Sequence, residues 1–196
     1  MTSPMFDLEG KIAVVTGGSS GIGRATVIEL ARHGARVAVA GIDLAGCGKV
    51  RDQILDEGGD AMAIECDVGS PADLRRLVEQ VAGRWGRIDI LVCNAGIAPH
   101  AGPLAAASED DYERTMEINL RSVMRLCNLV VPGMAERREG AVVIISSIAG
   151  VRGNKALGLY GMSKAASAQL ARNLAVEWGP SNVRANAVSP GVITTD

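Results

Sequence analysis

Short apolar runs alternate with longer segments of helical periodicity along this chain. The runs fall at 12–15, 37–40, 61–64, 88–93, 141–145 and 183–188, and each is nearly continuous in Val, Ile, Ala and similar residues. Continuous apolar residues are typical of parallel strands buried on both faces, whereas strands with one wet face alternate. We therefore expect six parallel strands with helices on both faces of the sheet.

Boundary residues support helices between these runs. Ser70-Pro71-Ala72-Asp73 combines an N-cap, a first-turn proline and an acid that can complete a capping box, and 108–111 repeats the capping pattern. We expect one long helix from 108 to about 138, and helix ends at the glycines of positions 34, 86, 140 and 179. Strand and helix alternating six times predicts an α/β fold with a Rossmann-type doubly wound sheet.

Composition narrows the class of protein. The chain has 196 residues, 47% of them hydrophobic, which suits a single domain over 1–196. With 20 Lys+Arg against 22 Asp+Glu, nothing indicates a nucleic-acid partner. No signal-like or membrane-spanning apolar segment is present, so we expect a soluble, cytoplasmic protein without a membrane partner. Four scattered cysteines and two histidines predict neither disulfides nor a metal site.

A glycine-rich segment directly follows the first predicted strand. It reads Thr16-Gly17-Gly18-Ser19-Ser20-Gly21-Ile22-Gly23 and leads into an amphipathic helix. Glycines let a backbone approach a pyrophosphate, and the N-terminus of the following helix presents unpaired N–H groups and partial positive charge. Glycines also mark ordinary turns, but the position between strand and helix favours a nucleotide cradle.

Tyr160 and Lys164 lie four residues apart in a predicted helix and therefore share one face. A phenol is a weak base at neutral pH, and an adjacent ammonium group favours its ionised form. Such a pair also suits a solvated helix face. Ser147 follows the fifth apolar run, where its hydroxyl can hydrogen-bond a substrate oxygen, and its neighbour Ser146 is a rival for that role. Asn119 is a mediocre helix former that could simply be exposed.

Together these residues resemble the short-chain dehydrogenase/reductase family, most closely its 3-oxoacyl-reductase-like branch. The glycine-rich segment matches the cofactor motif, and Asn94-Ala95-Gly96, Asn119, Ser147, Tyr160-x-x-x-Lys164 and Pro190-Gly191 follow in the family's order and spacing. The resemblance extends from about residue 8 to 196. It implies an NAD(P)-dependent oxidoreductase that moves a hydride between a nicotinamide and a carbonyl or secondary-alcohol substrate of small size.

The resemblance also implies a role for each motif residue. Tyr160 is the acid/base, Lys164 also holds the nicotinamide ribose, Ser147 orients the substrate oxygen, and Asn119 holds a water in a proton relay. Thr195 contacts the carboxamide of the cofactor. Further residues implied in cofactor binding are Thr16, Gly17, Ser19, Ser20, Gly21, Ile22, Gly23, Asp43, Asp67, Val68, Asn94, Ala95, Gly96, Pro190, Gly191, Val192 and Ile193.

Two of these assignments have plainer alternatives. Asn94 could belong to an ordinary turn between strand and loop, and Asp67, implied to bind the adenine amino group, could be an exposed loop carboxylate. The family usually has a second Asn where this chain has Cys93, a small residue that suits the core. Cys93 therefore leaves Asn94 as the expected nucleotide contact.

The choice between NAD and NADP depends on the end of the second strand. Gly41 stands where NAD-preferring members have an acid, Ile42 stands where NADP-preferring members often have Arg, and Asp43 comes two residues late. With a carboxylate nearby and no obvious cation for a 2′-phosphate, NAD is favoured. Lys49 or Arg51 reaching inward would reverse this preference.

The family pattern continues beyond Asp196 into a helical segment over the substrate and a last strand, which this chain lacks. We expect the natural product to be longer; the other interpretation is a truncated form with an open substrate side. That motivates an alternative function, a nucleotide-binding protein with little or no catalysis. The resemblance further implies a homo-oligomer, a dimer or tetramer, formed through the helices that begin near 108 and 157.

Overall fold

A computed structural model describes residues 6–195. Its six strands form one sheet in the order β3-β2-β1-β4-β5-β6, and every neighbouring pair is parallel. The expected Rossmann-type sheet is confirmed, and the strand order reverses between β1 and β4. The strands are β1 (Ile12–Thr16), β2 (Arg36–Gly41), β3 (Ala61–Glu65), β4 (Ile90–Cys93), β5 (Gly140–Ile145) and β6 (Val183–Val188).

Helices cover both faces of the sheet. Alternate residues of β1 explain why, because Ile12 and Val14 join one buried cluster while Ala13 and Val15 join the other. Helices α3, α5 and α6 pack on the first face, and α1 and α2 pack on the second. The helices are α1 (Gly21–Arg32), α2 (Leu44–Asp56), α3 (Pro71–Trp85), α4 (Glu109–Met116), α5 (Ser122–Glu136) and α6 (Gly158–Trp178).

The fourth strand is shorter than its apolar run predicts. It begins at Ile90 rather than 88, because the buried Asp89 takes part in a polar cluster at the N-terminal edge of the sheet. The Asp89 carboxylate accepts the backbone N–H of Ile12 and the Nε–H of Arg87. This cluster lies opposite the carboxyl ends of the strands, so it does not contribute to a ligand site there.

The glycine rule for helix ends holds at two of four sites. Gly34 and Gly86 are left-handed, with φ of 96° and 86°, as predicted. Gly140 instead begins β5, and the left-handed residue of that turn is Arg138, with φ of 55°. At the end of α6, Gly179 keeps right-handed geometry in a 3-10 turn, and the left-handed residue is Asn182, which tolerates this conformation.

The predicted caps are partly confirmed. Ser108 and Asp111 form a reciprocal capping box at the start of α4. Ser70 caps α3 by accepting the backbone N–H of Asp73, but no capping box forms there. The Asp73 carboxylate instead accepts the backbone N–H of Asp67, which fixes the loop after β3.

The helix expected from 108 to about 138 is interrupted. Residues Glu117–Arg121 form one π-helical turn between α4 and α5, and Asn119 lies at its centre with 1% of its surface exposed. A π-turn inserts an extra residue and often marks a functional position. The exposed-helix interpretation of Asn119 is therefore wrong.

Candidate active site

The glycine-rich segment connects β1 to α1 by a conformation that requires glycine. Gly17 and Gly21 have φ of 65° and 52°. A Cβ on Gly23 would lie 2.0 Å from the carbonyl oxygen of Gly17, so no side chain fits there. Ser20, the residue before α1, makes no side-chain capping bond, which leaves its hydroxyl for another partner. This geometry has the features of an anion cradle at a helix N-terminus.

The loop after β4 holds this cradle in place. Asn94 donates its Nδ2–H groups to the carbonyl oxygens of Thr16 and Gly17, at 3.0 and 3.1 Å. The Thr16 hydroxyl accepts the backbone N–H groups of Asn94 and Ala95. The polar groups of Thr16 and Asn94 thus shape the loop, and their contact with a cofactor stays a prediction.

A cleft of about 880 Å³ lies beside the cradle, at the carboxyl ends of β2 and β3. It brings together several predicted residues and Ile42, and it also includes Ile97, Ile118 and a stretch of α4 that the sequence did not indicate. The lining residues are Gly17, Ser19, Ser20, Gly41, Ile42, Asp43, Cys66, Asp67, Val68, Ala95, Gly96, Ile97, Glu113, Arg114, Glu117 and Ile118.

Charge in this cleft is mostly negative. Four acids and a single arginine, Arg114, are among the described residues that line it. Asp43 is also the N-cap of α2, where its carboxylate accepts the backbone N–H of Gly46. Neither Lys49 nor Arg51 lines the cleft, and Arg51 pairs with the neighbouring carboxylate of Asp52. The preference for NAD stays a prediction.

A smaller cavity of about 180 Å³ brings together Ser147, Tyr160 and Lys164 at the ends of β5 and β6. Lys164 is 4% exposed, donates from Nζ to the Ile145 carbonyl at 2.7 Å, and lies 5.6 Å from the centroid of the Tyr160 ring. Burial lowers the pKa of Lys164 from 10.5 to about 8. Its charged form therefore still predominates at neutral pH, close to the phenol.

The two adjacent serines have different surroundings. Ser146 is buried and donates its hydroxyl to the Lys164 carbonyl oxygen at 2.8 Å, so its proton is already used inside the protein. The Ser147 oxygen accepts only the backbone N–H of Ala149 within the described residues. Its hydroxyl proton is available to a substrate oxygen in the cavity. The geometry favours Ser147 over its rival.

Asn119 connects two parts of the site. Its side chain exchanges hydrogen bonds with both the N–H and the carbonyl of Ile97, each at 2.8 Å. Its Nδ2 also donates to Ser163, which in turn donates to the Tyr160 carbonyl. Ser163 was not among the predicted site residues, although its spacing from Tyr160 places it on the same helix face. The water-holding role of Asn119 stays a prediction.

The segment after β6 lies beside the glycine-rich cradle. Gly191, Ile193 and Thr195 line a cavity of about 400 Å³ with the cradle, and Thr195 lies 3.7 Å from the Cβ position of Gly21. Pro190 lines the cavity of Ser147, Tyr160 and Lys164 beside Gly191. Val192 is 98% exposed and lines none of these cavities, so its predicted cofactor contact receives no structural support. Residue 196 lies outside the described residues.

Comparison with known proteins decides the family. Residues 11–196 match the family model described as short chain dehydrogenase. The chain belongs to the short-chain dehydrogenase family. It is 38% identical over 192 residues to 7α-hydroxysteroid dehydrogenase of Escherichia coli (strain K12), covering 96% of this chain and 73% of that protein.

Solved structures agree with this assignment. A 7α-hydroxysteroid dehydrogenase complexed with NADH and 7-oxo glycochenodeoxycholic acid is 36% identical, with a TM-score of 0.94 over 100% of this chain and 76% of that one. An NAD⁺-bound xylitol dehydrogenase is 32% identical, with a TM-score of 0.90 over 93% of this chain and 70% of that one. This short-chain dehydrogenase is therefore an oxidoreductase of a family that binds nicotinamide cofactors and acts on small molecules.

The remaining predictions concern the cysteines, metal binding, membrane helices, assembly and location. All four cysteines are free and buried. Within residues 6–195, no cluster of three or more His, Cys, Asp or Glu side chains could hold a metal ion, and no helix is long and apolar enough to cross a membrane. Assembly into dimers or tetramers and a cytoplasmic location stay predictions.

Proposed function

We propose that this short-chain dehydrogenase transfers a hydride between NAD and a carbonyl or secondary alcohol, with Tyr160 as the proton donor and acceptor. The observation that carries the proposal is the convergence of Tyr160, Lys164 and the free hydroxyl of Ser147 on one cavity. That cavity shares Ile22, Asn94 and Gly96 with the cradle side, so a cofactor and a substrate would meet there.

The residues present suit a nicotinamide dinucleotide. The pyrophosphate would lie on the N-terminus of α1, where a Cβ at Gly23 has no room and Ser20 has an unused hydroxyl. The adenosine half would occupy the larger cleft past Asp43 and Asp67, and the nicotinamide half would face Gly191 and Thr195. A bound nicotinamide supplies or accepts the hydride.

Side chains of the protein itself donate and accept the proton. In carbonyl reduction, the Tyr160 hydroxyl donates its proton to the substrate oxygen while Ser147 donates a second hydrogen bond to that oxygen. The Lys164 charge lies 5.6 Å from the Tyr160 ring centroid and stabilises the phenolate that results. In alcohol oxidation the phenolate removes the hydroxyl proton, and each step runs in reverse.

The test exploits the presence of only two tyrosines in the chain. Tyr160→Phe should lower kcat for carbonyl reduction by about 10²- to 10⁴-fold and leave the Kd for NADH within about twofold. Tyr112→Phe is the matched control, because Tyr112 is exposed on α4 and lines none of the cavities. Substantial activity in Tyr160→Phe would contradict the proposal. Cofactor binding without turnover by the unaltered chain would favour the nucleotide-binding alternative.

The preference for NAD rests on the charges of the cleft. Asp43, Asp67 and Glu113 surround the space for the adenosine half, whereas Glu117 is paired with Arg121 and Arg125. Arg114, the cation that lines the cleft, is exposed and lies 4.0 Å from Asp110. A 2′-phosphate would meet net repulsion there. Titration of the bound cofactor's fluorescence should give tighter binding of NADH than of NADPH. Tighter binding of NADPH would refute the preference without affecting the catalytic assignment.

A further inference from the structure

The catalytic cavity is bordered by three segments that contain no acidic residue. They are residues 94–107, 146–157 and 188–195, and their only formal charges are the cations Arg152 and Lys155. The chain as a whole has a net charge of −2, and the charged residues that line the larger cleft are four acids and one arginine. The formal charges of these three segments are therefore positive, whereas the charged residues of the larger cleft are mostly acids.

The loop that carries both cations is well fixed. A Cβ on Gly150 would lie 2.7 Å from the backbone nitrogen of Ala165, so the turn after Ser147 packs directly on α6. Arg152 donates its backbone N–H to the Ile148 carbonyl at 3.2 Å. Asn154 then accepts the backbone N–H groups of the two residues that lead into α6, each at 2.9 Å. The two cations are thus presented from a defined turn beside the catalytic serine.

Apolar side chains lie around the same border. Gly102 donates its backbone N–H to Ala156 at 2.8 Å, which joins the 94–107 segment to the loop of the cations. Leu104, Val151 and Ile193 expose 52%, 76% and 53% of their surfaces. One such side chain stands in each of the three segments, so each segment offers apolar surface that a ligand could cover.

Arg152 and Lys155 are exposed and have no side-chain hydrogen bond or ion pair within residues 6–195. Many other cations of the chain are paired, for example Arg32 with Glu29 and Arg84 with Asp60. We propose that the substrate is a carbonyl compound with an apolar body and an anionic group at the end remote from the carbonyl. This inference rests on the proposed function, because it places the reacting carbonyl at Tyr160.

In this arrangement the carbonyl oxygen reaches Tyr160 and Ser147, and the apolar body covers Val151 and Leu104. The anionic group pairs with Arg152 or Lys155 on the far side of the loop. Attraction between the unpaired cations and the anion then orients the substrate so that its carbonyl enters the cavity first. Binding at a remote group in this way raises kcat/KM rather than the affinity for the cofactor.

The experiment compares two series of straight-chain methyl ketones of increasing length, one ending in a carboxylate and the other in the methyl ester of the same acid. At low ionic strength the best carboxylate should show a kcat/KM about fivefold above that of its ester. The advantage should decline as salt is added, since exposed charge pairs are screened. Equal kcat/KM values for the two series would overturn the inference and leave the proposed function intact.

A double variant separates charge from pocket shape. Arg152→Gln with Lys155→Gln should remove the preference for the carboxylate and leave kcat/KM for the ester unchanged. The matched control, Lys49→Gln with Arg172→Gln, removes two exposed cations from the outer faces of α2 and α6 and should retain the preference. A preference that survives in the first double variant, or is lost in the control, contradicts the assignment of these cations.

Binding gives a readout that does not depend on turnover. Decanoate should change the fluorescence of the enzyme–NADH complex at a lower concentration than decanamide does, and Arg152→Gln with Lys155→Gln should abolish the difference. If no ketone is reduced but decanoate shows this preference, the proposed function fails and the anion site stands. If decanoate and decanamide bind equally, the anion site is refuted whatever the activity.

Discussion

Lys164 illustrates a conflict between stability and catalysis that can be measured. We expect Lys164→Met to abolish catalysis and to raise the free energy of unfolding at pH 7. The reason is that the buried ammonium group is 4% exposed and its pKa is lowered from 10.5 to about 8 by burial. Methionine has a similar length, can fill the same space, and carries no charge to desolvate.

The magnitude follows from the pKa. At about 1.4 kcal/mol per pH unit, a folded-state pKa of about 8 against 10.5 corresponds to about 3 kcal/mol of destabilisation when the lysine is charged in both states. The variant also loses the hydrogen bond from Nζ to the Ile145 carbonyl, worth about 1 kcal/mol. The net gain is about 2 kcal/mol, or about 5 °C in Tm for a chain of this size.

The pH dependence identifies the cause. Below pH 8 the penalty is fully present, because the lysine is protonated in both the folded and the unfolded protein. Between pH 8 and 10.5 the unfolded chain binds more protons than the folded one, so the stability of the unaltered protein rises relative to that of the variant. The advantage of Lys164→Met should therefore shrink as the pH approaches 10.

Urea denaturation of both proteins at a series of pH values from 7 to 10, followed by circular dichroism, measures this difference. Groups that titrate equally in both proteins cancel in the comparison. Lys49→Met, at an exposed position of α2, should show neither the gain nor the pH dependence. The reasoning is refuted if Lys164→Met is less stable at pH 7, or if its advantage does not depend on pH.

Three further substitutions probe other contacts of the site. Asn119→Ala should lower the free energy of unfolding in urea by about 2–4 kcal/mol, because both backbone groups of Ile97 lose their partner. Gly23→Ala should abolish NADH binding in a fluorescence titration, since its Cβ would overlap the Gly17 carbonyl. Ile42→Arg, at a 76% exposed position of the cofactor cleft, should raise the affinity for NADPH relative to NADH by about tenfold.

Each of the three substitutions has a control in which the same kind of residue change is made outside the site. Asn173→Ala alters an exposed asparagine of α6, Gly83→Ala adds a methyl group to open space on α3, and Val176→Arg adds a cation outside the cavities. Unchanged stability in Asn119→Ala, retained binding in Gly23→Ala, or an unaltered cofactor ratio in Ile42→Arg would each contradict the contact that motivates it.

Features that depend on neighbouring residues were predictable from the sequence. The six apolar runs identify the six strands to within two residues, because burial on both faces of a parallel sheet leaves a continuous apolar pattern. The positive φ angles of Gly17 and Gly21 follow from a strand that turns sharply into a helix. The spacing of Tyr160 and Lys164 places both on one face of α6 in any helix.

Helix ends show where local reasoning fails. Glycine permits a left-handed turn but does not require one, and at the ends of α5 and α6 the chain uses Arg138 and Asn182 instead. The Asn182 side chain donates to the Arg138 carbonyl, 44 residues away in sequence. That bond joins the turns that precede β5 and β6. The end of α5 and the end of α6 therefore depend on how these two strands pack.

The sequence by itself determined which functional motif follows which strand along the chain. The glycine-rich cradle comes after the first strand, a serine comes after the fifth, and the helix with Tyr-x-x-x-Lys comes after that. Only the tertiary structure decided that Asn119 is buried against Ile97 and Ser163, that Ser146 is occupied by Lys164, and that α4 lines the cofactor cleft. The physical reason is the distance along the sequence over which each property is set. Periodicity and backbone preference are properties of adjacent residues, whereas burial, pKa and free hydrogen-bonding capacity are set by atoms that packing brings from distant parts of the chain.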